Sequence, residues 1–363
     1  MKPIGDKVMP MSWQSFMNGV KPKAKGLPTL IVFGACLLFV LTMLRQGGWN
    51  PTYFIDYDGY FSSEIALHGF EVTPVFDKPA YRFQRILYPM VARSLALARP
   101  ELIPWMLIMV NMAAITIGTW LTEELLDDLG TSRWYALIYG LYGGQFVALR
   151  TNLNEPMAQM LVAWAMLAYS RERRGWAIFA FALAGLTKET ALIFGAAYAL
   201  YHLWLGQWRW AVSFGLTSLP YFLYQFGIEQ WLGQSGFAAS EPFFWIPLQG
   251  WFQASQVNFL AFLLISIPIV PMSILPTLAG LALSLRSLWQ GLIQPIVFCL
   301  LLHGLFILFL PSLTFIESSA MVRVTQGLVV SMVLYGALVK SGRILNYSFL
   351  WIFTNVLWVY GTG

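Results

Sequence analysis

The chain has 363 residues, of which 58% are hydrophobic and only 11% are charged, and its formal net charge is +5. Soluble domains carry roughly 25% charged residues, so this composition excludes an ordinary soluble protein and predicts an all-α polytopic membrane protein. Most of the positive charge lies in short loops, so we expect no nucleic-acid partner, and two cysteines inside apolar runs predict no disulfide framework.

Residues 1–26 form a polar, Lys-rich segment ahead of the first apolar run. No apolar core follows Met1 closely, so we expect no cleavable signal peptide. Lys21, Lys23 and Lys25 instead predict a signal anchor whose N-terminus is cytoplasmic. We expect residues 27–363 to form a single transmembrane domain, in which residues 46–100 are a long first outer loop.

The apolar runs predict about eleven membrane spans. In chain order they cover about residues 27–44, 102–121, 134–149, 157–169, 176–186, 191–205, 211–228, 259–285, 293–310, 324–339 and 345–359. The eighth contains Pro268, Pro271 and Pro276, which predicts one kinked span or a re-entrant piece followed by a span. With the N-terminus inside, most Lys and Arg of the short loops fall on the cytoplasmic side, as the positive-inside rule requires. This pattern predicts a multi-pass protein of an inner (cytoplasmic) membrane.

The same orientation gathers polar segments on the outer, extracytoplasmic face. They are the first outer loop, Arg150 to Glu155, Lys188 with Glu189, Glu241, and Glu317 to Arg323. Arg150, Glu155, Lys188, Glu189 and Arg323 adjoin or interrupt apolar runs, where an unpaired charge costs roughly 2.5–3.5 kcal/mol at the bilayer centre. We expect these five to bind substrate or a lipid phosphate. The alternative is that each extends to the membrane surface without any such role.

Asp56 and Asp58 are the candidate catalytic carboxylates of the first outer loop. We expect an extended backbone between them, with one carboxylate facing a substrate while the other caps the next helix. Asp58 directly precedes a run with helical periodicity, so capping is the alternative to its acting as a general base. Asp58 is the first candidate for the base and Asp56 the second.

Arg82 and Arg85 are spaced by about one helical turn, which predicts that they lie on one helix face. Guanidinium groups suit bidentate phosphate binding. The apolar residues that follow, from Ile86 to Leu97, predict a helix lying on the membrane surface. An arginine pair that only faces lipid headgroups is the alternative.

Several short motifs carry a family resemblance. Residues 57–60 (YDGY), Ile65-Ala66, Gly69-Phe70 and residues 81–89 (YRFQRILYP) follow a Lys-rich N-terminus and a first span. This pattern resembles the polytopic GT-C glycosyltransferase superfamily, in particular the branch of the second mannosyltransferase of GPI-anchor synthesis and its bacterial relatives. Residues 187–190 (TKET) are similar to the outer Lys/Arg-Glu turn of bacterial members. The resemblance covers mainly residues 30–200, and residues 81–85 depart from the aromatic stretch of the mannosyltransferase.

The resemblance implies two interfacial helices in the first outer loop and chemistry on the outer, periplasmic face. It implies transfer of a hexose, with inversion, from a polyprenyl-phosphate-linked donor to an acceptor that is a glycan, a lipid or a protein. A first-loop aspartate would be the general base, and cationic side chains would hold the lipid phosphate. Some members use a divalent metal and others do not, and the sequence requires none.

The main alternative is a transporter or flippase of a lipid-linked or amphiphilic substrate. Transporters tend to carry inverted repeats and binding groups near the bilayer midplane. The chain shows no convincing internal repeat, and its polar clusters are predicted at one face. The sequence therefore favours a membrane glycosyltransferase.

Overall fold

The computed structural model describes residues 25–236, 242–257 and 259–355. The described residues form helices and contain no β-strand, which confirms the prediction of an all-α fold. Residues 1–24, on which the prediction of a cytoplasmic N-terminus largely rests, lie outside the described residues, as do Glu241 and the C-terminal residues 356–363.

The first part of the chain contains the long first loop and the helices that support it. The α-helices are α1 (Leu27–Gln46), α2 (Gly59–His68), α3 (Pro79–Phe83), α4 (Leu87–Leu95), α5 (Ile103–Asp128), α6 (Ala136–Gly140), α7 (Gly143–Arg150), α8 (Glu155–Ser170) and α9 (Arg174–Thr187). Short 3₁₀ helices cover Pro51–Phe54, Pro100–Leu102, Arg133–Tyr135 and Glu189–Ala191. Residues 46–100 are therefore folded into α2, α3 and α4.

The second part of the chain is also helical. Its α-helices are α10 (Leu192–Trp204), α11 (Trp208–Gly215), α12 (Leu219–Leu232), α13 (Gln249–Val257), α14 (Phe259–Ile269), α15 (Leu275–Trp289), α16 (Pro295–Leu308), α17 (Ser312–Ile316), α18 (Ser318–Val324), α19 (Gln326–Leu338) and α20 (Gly342–Ser348). Further 3₁₀ helices cover Leu216–Ser218 and Phe349–Asn355.

Three helical segments of the described residues are long and apolar enough to cross a bilayer: Leu27–Gln46, Pro100–Asp128 and Phe262–Trp289. The apolar helices α9, α16 and α19 are shorter than the roughly 20 residues that a straight span requires. The prediction of eleven spans is therefore not confirmed. The predicted run 134–149 is divided between α6 and α7, because residues 140–144 (GLYGG) are rich in glycine, which disfavours a continuous helix.

The proline-containing run forms one helical segment from Phe259 to Trp289 rather than a re-entrant piece followed by a span. Pro268 lies inside α14, and a π-helical turn, Val270–Ile274, joins α14 to α15. Proline removes a backbone donor and disturbs the preceding turn. The wider π-helical turn is where this interruption is absorbed.

Two contacts hold the connection between α7 and α8, one from α5 and the other from the first loop. The Asn111 side chain on α5 donates hydrogen bonds to the carbonyl oxygens of Leu153, at 2.9 Å, and Ala148, at 3.3 Å. Gly59, at the start of α2, approaches this connection so closely that an added Cβ would lie 1.6 Å from the carbonyl oxygen of Thr151. Only glycine permits this approach, so the start of α2 is held beside the residues that precede α8.

The far end of α2 is also fixed. Nη1 of Arg93, on α4, donates to the carbonyl oxygens of Ala66 at 2.8 Å and Leu67 at 2.6 Å. These carbonyls belong to the last turn of α2, where a cation interacts favourably with the helix dipole. With Gly59 and Arg93 at its two ends, α2 holds the residue before it, Asp58, in a defined place.

Candidate functional site

Asp58 lies at the N-terminal boundary of α2, but it does not cap that helix. Its side chain makes no capping hydrogen bond. Oδ1 accepts a hydrogen bond of 2.7 Å from Nη1 of Arg82, and Oδ2 lies 3.8 Å from Nη1 of Arg323. The side chain is 21% exposed. The carboxylate is thus directed to two arginines from distant parts of the chain.

Asp56 has a different environment. Its Oδ1 accepts the backbone N–H of Tyr57 at 2.7 Å, and its Oδ2 lies 3.9 Å from Nη2 of Arg150, with the side chain 62% exposed. The predicted extended backbone between Asp56 and Asp58 is wrong, because Tyr57 has a φ of 52°, in the left-handed region, and the chain turns there. Arg150 also donates to the carbonyl oxygen of Tyr53 at 2.8 Å. Asp56 and Arg150 therefore form a separate pair at the surface.

Arg82 is enclosed by three side chains. Its Nε and Nη2 donate to Oδ1 and Oδ2 of Asp77 at 2.9 Å and 3.0 Å, and its Nη1 donates to Asp58. The guanidinium carbon lies 3.8 Å from the centre of the Phe61 ring. The hydrogen bond from Arg82 lowers the pKa of Asp77 from its ordinary value, so Asp77 remains ionised beside it. Sequence reasoning did not select Asp77; its only signal was its position five residues before Arg82.

The predicted continuous helix through Arg82 and Arg85 is wrong, since α3 ends at Phe83 and α4 begins at Leu87. Pro89 supplies a reason, because in an unbroken helix its ring would clash with the carbonyl of residue 85. Nε and Nη2 of Arg85 donate to Oε2 and Oε1 of Glu189 at 3.0 Å and 2.7 Å. The two arginines therefore hold different carboxylates.

Glu155, Lys188 and Arg323 form a buried group at the start of α8. Oε1 of Glu155 accepts hydrogen bonds from Nζ of Lys188 at 2.6 Å and from Nη1 of Arg323 at 3.3 Å. The three side chains are 2%, 8% and 7% exposed, respectively. Asn154 donates to the carbonyl oxygen of Thr187 at 2.9 Å and so holds the Lys188 turn against α8. Two cations share one buried carboxylate here, and Nη1 of Arg323 also lies 3.8 Å from Oδ2 of Asp58.

These contacts bring seven of the nine predicted site residues together. We call the connected set of Asp58, Asp77, Arg82, Glu155, Lys188 and Arg323 the Asp58 network. The Arg85–Glu189 pair adjoins it through the peptide bond between Lys188 and Glu189. Asp56 and Arg150 lie apart from it.

Tyr57 links the first loop to the connection between α17 and α18, a contact that no sequence pattern predicted. Its hydroxyl donates to Oε2 of Glu317 at 2.6 Å, across 260 residues of sequence. The guanidinium carbon of Arg323 lies 5.2 Å from the centre of the Tyr57 ring. Burial, followed by the hydrogen bond to Glu317, raises the pKa of Tyr57, so its hydroxyl remains a donor. Tyr57 therefore closes one side of Arg323.

Some buried polar atoms beside the network have no hydrogen-bond partner within the described protein. Asn152 is 0% exposed, and neither its Oδ1 nor its Nδ2 is paired. Oε2 of Glu155 is also unpaired. Each such atom costs about 1–3 kcal/mol. This region therefore has more buried donor and acceptor atoms than the surrounding protein groups pair with.

Among residues 25–236, 242–257 and 259–355, no group of three or more His, Cys, Asp or Glu side chains is placed to hold a metal ion. The network nevertheless combines a carboxylate with a neighbouring cationic group. Such a combination can accept a proton at Asp58 and stabilise negative charge at Lys188 and Arg323.

Comparisons with protein-family models, with curated proteins and with solved structures find no match to this chain.

Proposed function

We propose that the chain is a membrane-embedded hexosyltransferase. It takes a sugar from a polyprenyl-phosphate-linked donor and transfers it, with inversion, to a glycan, lipid or protein acceptor. The observation that carries this proposal is the position of Asp58, whose carboxylate makes no helix cap and faces the cation of Arg323. The resemblance of the first loop to the GT-C superfamily gives the reaction class.

Asp58 is the general base in this proposal. Oδ1 is held by Arg82 at 2.7 Å, so Oδ2 is the oxygen that accepts the proton of the acceptor hydroxyl. The hydroxyl oxygen forms its bond to the anomeric carbon as the bond from that carbon to the phosphate oxygen breaks. General-base assistance of this kind typically contributes about 10²–10⁴-fold.

Lys188 and Arg323 stabilise the departing lipid phosphate. They share the buried Glu155 carboxylate, which holds both cations in place, and Arg323 also lies 3.8 Å from Asp58. Preorganised cations at the place where negative charge develops are among the largest catalytic effects.

The proposed topology has about eleven spans, a cytoplasmic N-terminus and the Asp58 network on the periplasmic face of an inner membrane. Its support is the segregation of charges along α5. Lys25, Arg133 and Arg171, all predicted cytoplasmic, converge on Glu124 near the end of that helix. The network lies near the level of Asn111, about 20 Å from Glu124 along the helix for a rise of 1.5 Å per residue. A reporter fused after Arg174 is expected in the cytoplasm.

A transporter or flippase of a lipid-linked substrate is the second candidate. The observation that favours it is the π-helical turn Val270–Ile274, because interrupted helices are common in transporters. Ser273, in this turn, shares a hydrogen bond of 3.2 Å with Thr325. A flippase would move a fluorescent polyprenyl-phosphate hexose across proteoliposomes without cleaving it, whereas a transferase would release polyprenyl phosphate.

The decisive test is Asp58→Asn. The purified variants are incubated in proteoliposomes with radiolabelled polyprenyl-phosphate hexoses and a membrane extract that supplies acceptors, and released polyprenyl phosphate is measured. Asparagine keeps the shape of aspartate but is a far weaker base, so turnover is expected to fall by about 10²-fold or more.

Asp56→Asn is the matched control, since Asp56 is exposed and outside the network, and it should retain turnover near that of the parent. Parental turnover in Asp58→Asn with loss in Asp56→Asn would move the base to Asp56. Parental turnover in both would refute the proposed enzyme.

A further inference from the structure

Asp77 and Arg82 make the most complete side-chain contact in the first loop. Asp77 binds the guanidinium side-on through both carboxylate oxygens, at 2.9 Å and 3.0 Å. Its own Oδ1 also accepts the backbone N–H of Lys78 at 2.8 Å, which orients the carboxylate just before α3 begins. This bidentate geometry is the strong and directional form of an Arg–carboxylate pair.

The contact determines what Arg82 can bind. A guanidinium binds phosphate through two parallel N–H groups on one edge. The Nε–Nη2 edge of Arg82 is occupied by Asp77, and its Nη1 donates to Asp58 at 2.7 Å. One face of the group also lies against the ring of Phe61, 3.8 Å away. Arg82 therefore presents no complete edge to a phosphate, whereas its residue type predicted that it would bind one.

We infer that Asp77 is a positioning residue for the proposed reaction, acting through Arg82 to fix the orientation of the Asp58 carboxylate. The inference rests on the proposed function and assigns Asp77 and Arg82 to the base rather than to the donor phosphate. Asp77 fixes the guanidinium plane, and the guanidinium in turn holds Oδ1 of Asp58. Oδ2 is thereby directed toward the side of Arg323, where the reacting hydroxyl is placed.

The exposed fractions of the three side chains fit a support that begins at Asp77 and ends at Asp58. Asp77 is 50% exposed, whereas Arg82 and Asp58 are 14% and 21% exposed. Asp77 is thus the outer support of a chain of contacts that ends at the more buried base. Displacement of a reacting group by about 1 Å can cost about 10²-fold in rate, so loss of such a support reaches the chemical step.

The test compares Asp77→Ala and Asp77→Asn with the parent in the proteoliposome assay, at varied donor concentration. Asp77→Ala is expected to lower kcat about 10-fold with the KM for donor unchanged, because orientation is lost and phosphate binding is not. Asp77→Asn keeps the shape and one acceptor oxygen, so it should lose less. Glu71→Gln, at an exposed carboxylate of the same loop, is the matched control and should behave like the parent.

A double variant separates positioning from a general structural role. In the Asp58→Asn background, Asp77→Ala should cause no further fall in kcat, because the group it orients is already inactive. An equal fall in both backgrounds would overturn the inference. So would parental kcat in Asp77→Ala, or a raised KM with unchanged kcat, which would return Arg82 to the donor phosphate.

The outcomes also distinguish this inference from the function on which it rests. Parental turnover in Asp58→Asn refutes the assigned base and, with it, the role of Asp77. An inactive Asp58→Asn beside a fully active Asp77→Ala refutes only the positioning role. Thermal midpoints in detergent, measured for each variant, show whether a lost rate comes from a folded protein.

Discussion

Two charged clusters lie at different levels of α5, and they are built in different ways. The cluster formed by Glu123, Glu124, Asp127 and Asp128 with Arg133 and Arg171 comes from one helix end and two nearby connections. The Asp58 network joins the first loop to residues near positions 155, 188 and 323, across up to 265 residues (323 minus 58). The first cluster reaches back to Lys25, 99 residues before Glu124 (124 minus 25), whereas the contacts of the Asp58 network extend over up to 265 residues.

The roles of the two clusters also differ. Glu123 is fully buried and accepts backbone hydrogen bonds from Gly26 at 3.0 Å and Thr29 at 2.8 Å. It therefore caps the start of α1, a structural task that accounts for its charge. No comparable cap explains Asp58, and Oε2 of Glu155 has no partner. Ion pairing alone thus does not identify a site, whereas a carboxylate without a structural task points to one.

The largest expected effect is that of Lys188→Met. Removing the Lys188 ammonium leaves the buried Glu155 carboxylate paired with Arg323 alone. Breaking a buried ion pair in this way typically costs about 3–5 kcal/mol in stability. We also expect turnover with the polyprenyl-phosphate hexose to be lost. Arg171→Met is the matched variant of the other cluster; Arg171 is 41% exposed, so its loss should cost about 1 kcal/mol or less.

Thermal midpoints in detergent and phosphate release together test this difference. Equal destabilisation by Lys188→Met and Arg171→Met would contradict the distinction between the buried and the exposed pair. Parental turnover in a folded Lys188→Met would remove Lys188 from the proposed phosphate site.

An intermediate effect is expected for Glu123→Gln. The amide keeps one acceptor oxygen but loses the charge that faces the N-terminus of α1, so we expect a loss of about 1–3 kcal/mol in stability. Turnover per folded molecule should equal that of the parent, since Glu123 belongs to the structural cluster. A fall in kcat without a fall in thermal midpoint would contradict that assignment.

Features that depend on nearby residues could be predicted from the sequence, and pairings that depend on the tertiary fold could not. Helical periodicity and apolar runs are local properties, so the all-α fold was predicted and is confirmed. Lys188 and Arg323 could be selected by their positions beside apolar runs, and Asp58 by its position ahead of a run with helical periodicity. Which carboxylate each cation holds depends on tertiary packing. Tyr57 and Glu317, 260 residues apart, could not be paired from sequence.

Local geometry was harder to predict where one residue decides it. The left-handed φ of Tyr57 separates Asp56 from Asp58, and no propensity of tyrosine favours that conformation. Asp77 was visible in the sequence but had no pattern to distinguish it from the other loop carboxylates. The number of spans was also not settled by periodicity, because apolar runs such as 134–149 fold into two short helices.

The smallest expected effect concerns the pH dependence of stability. Burial raises the pKa of Glu189, but the neighbouring charges of Arg85 and Lys188 outweigh it, and the pKa is held at about 2 against an ordinary value of 4.5. Glu189 lies in the connection between α9 and α10, and its partner Arg85 lies in the first loop. The pair therefore ties the first loop to that connection. A carboxyl group with a lowered pKa in the folded state stabilises the fold above its ordinary pKa. That contribution is lost as the pH falls toward the folded value, because the unfolded state binds the proton first.

The parent should therefore lose thermal stability between about pH 5 and about pH 3, and Glu189→Gln should lose less over the same interval. Glu124→Gln is the matched variant of the structural cluster, where the carboxylate accepts hydrogen bonds from Arg171 at 2.7 Å and Arg133 at 2.9 Å. It should also flatten the pH dependence. Only Glu189→Gln, however, should release the first loop, which limited proteolysis between α2 and α4 would detect. Equal protection of that loop in both variants would show that the Arg85–Glu189 pair contributes charge but does not hold the loop in place.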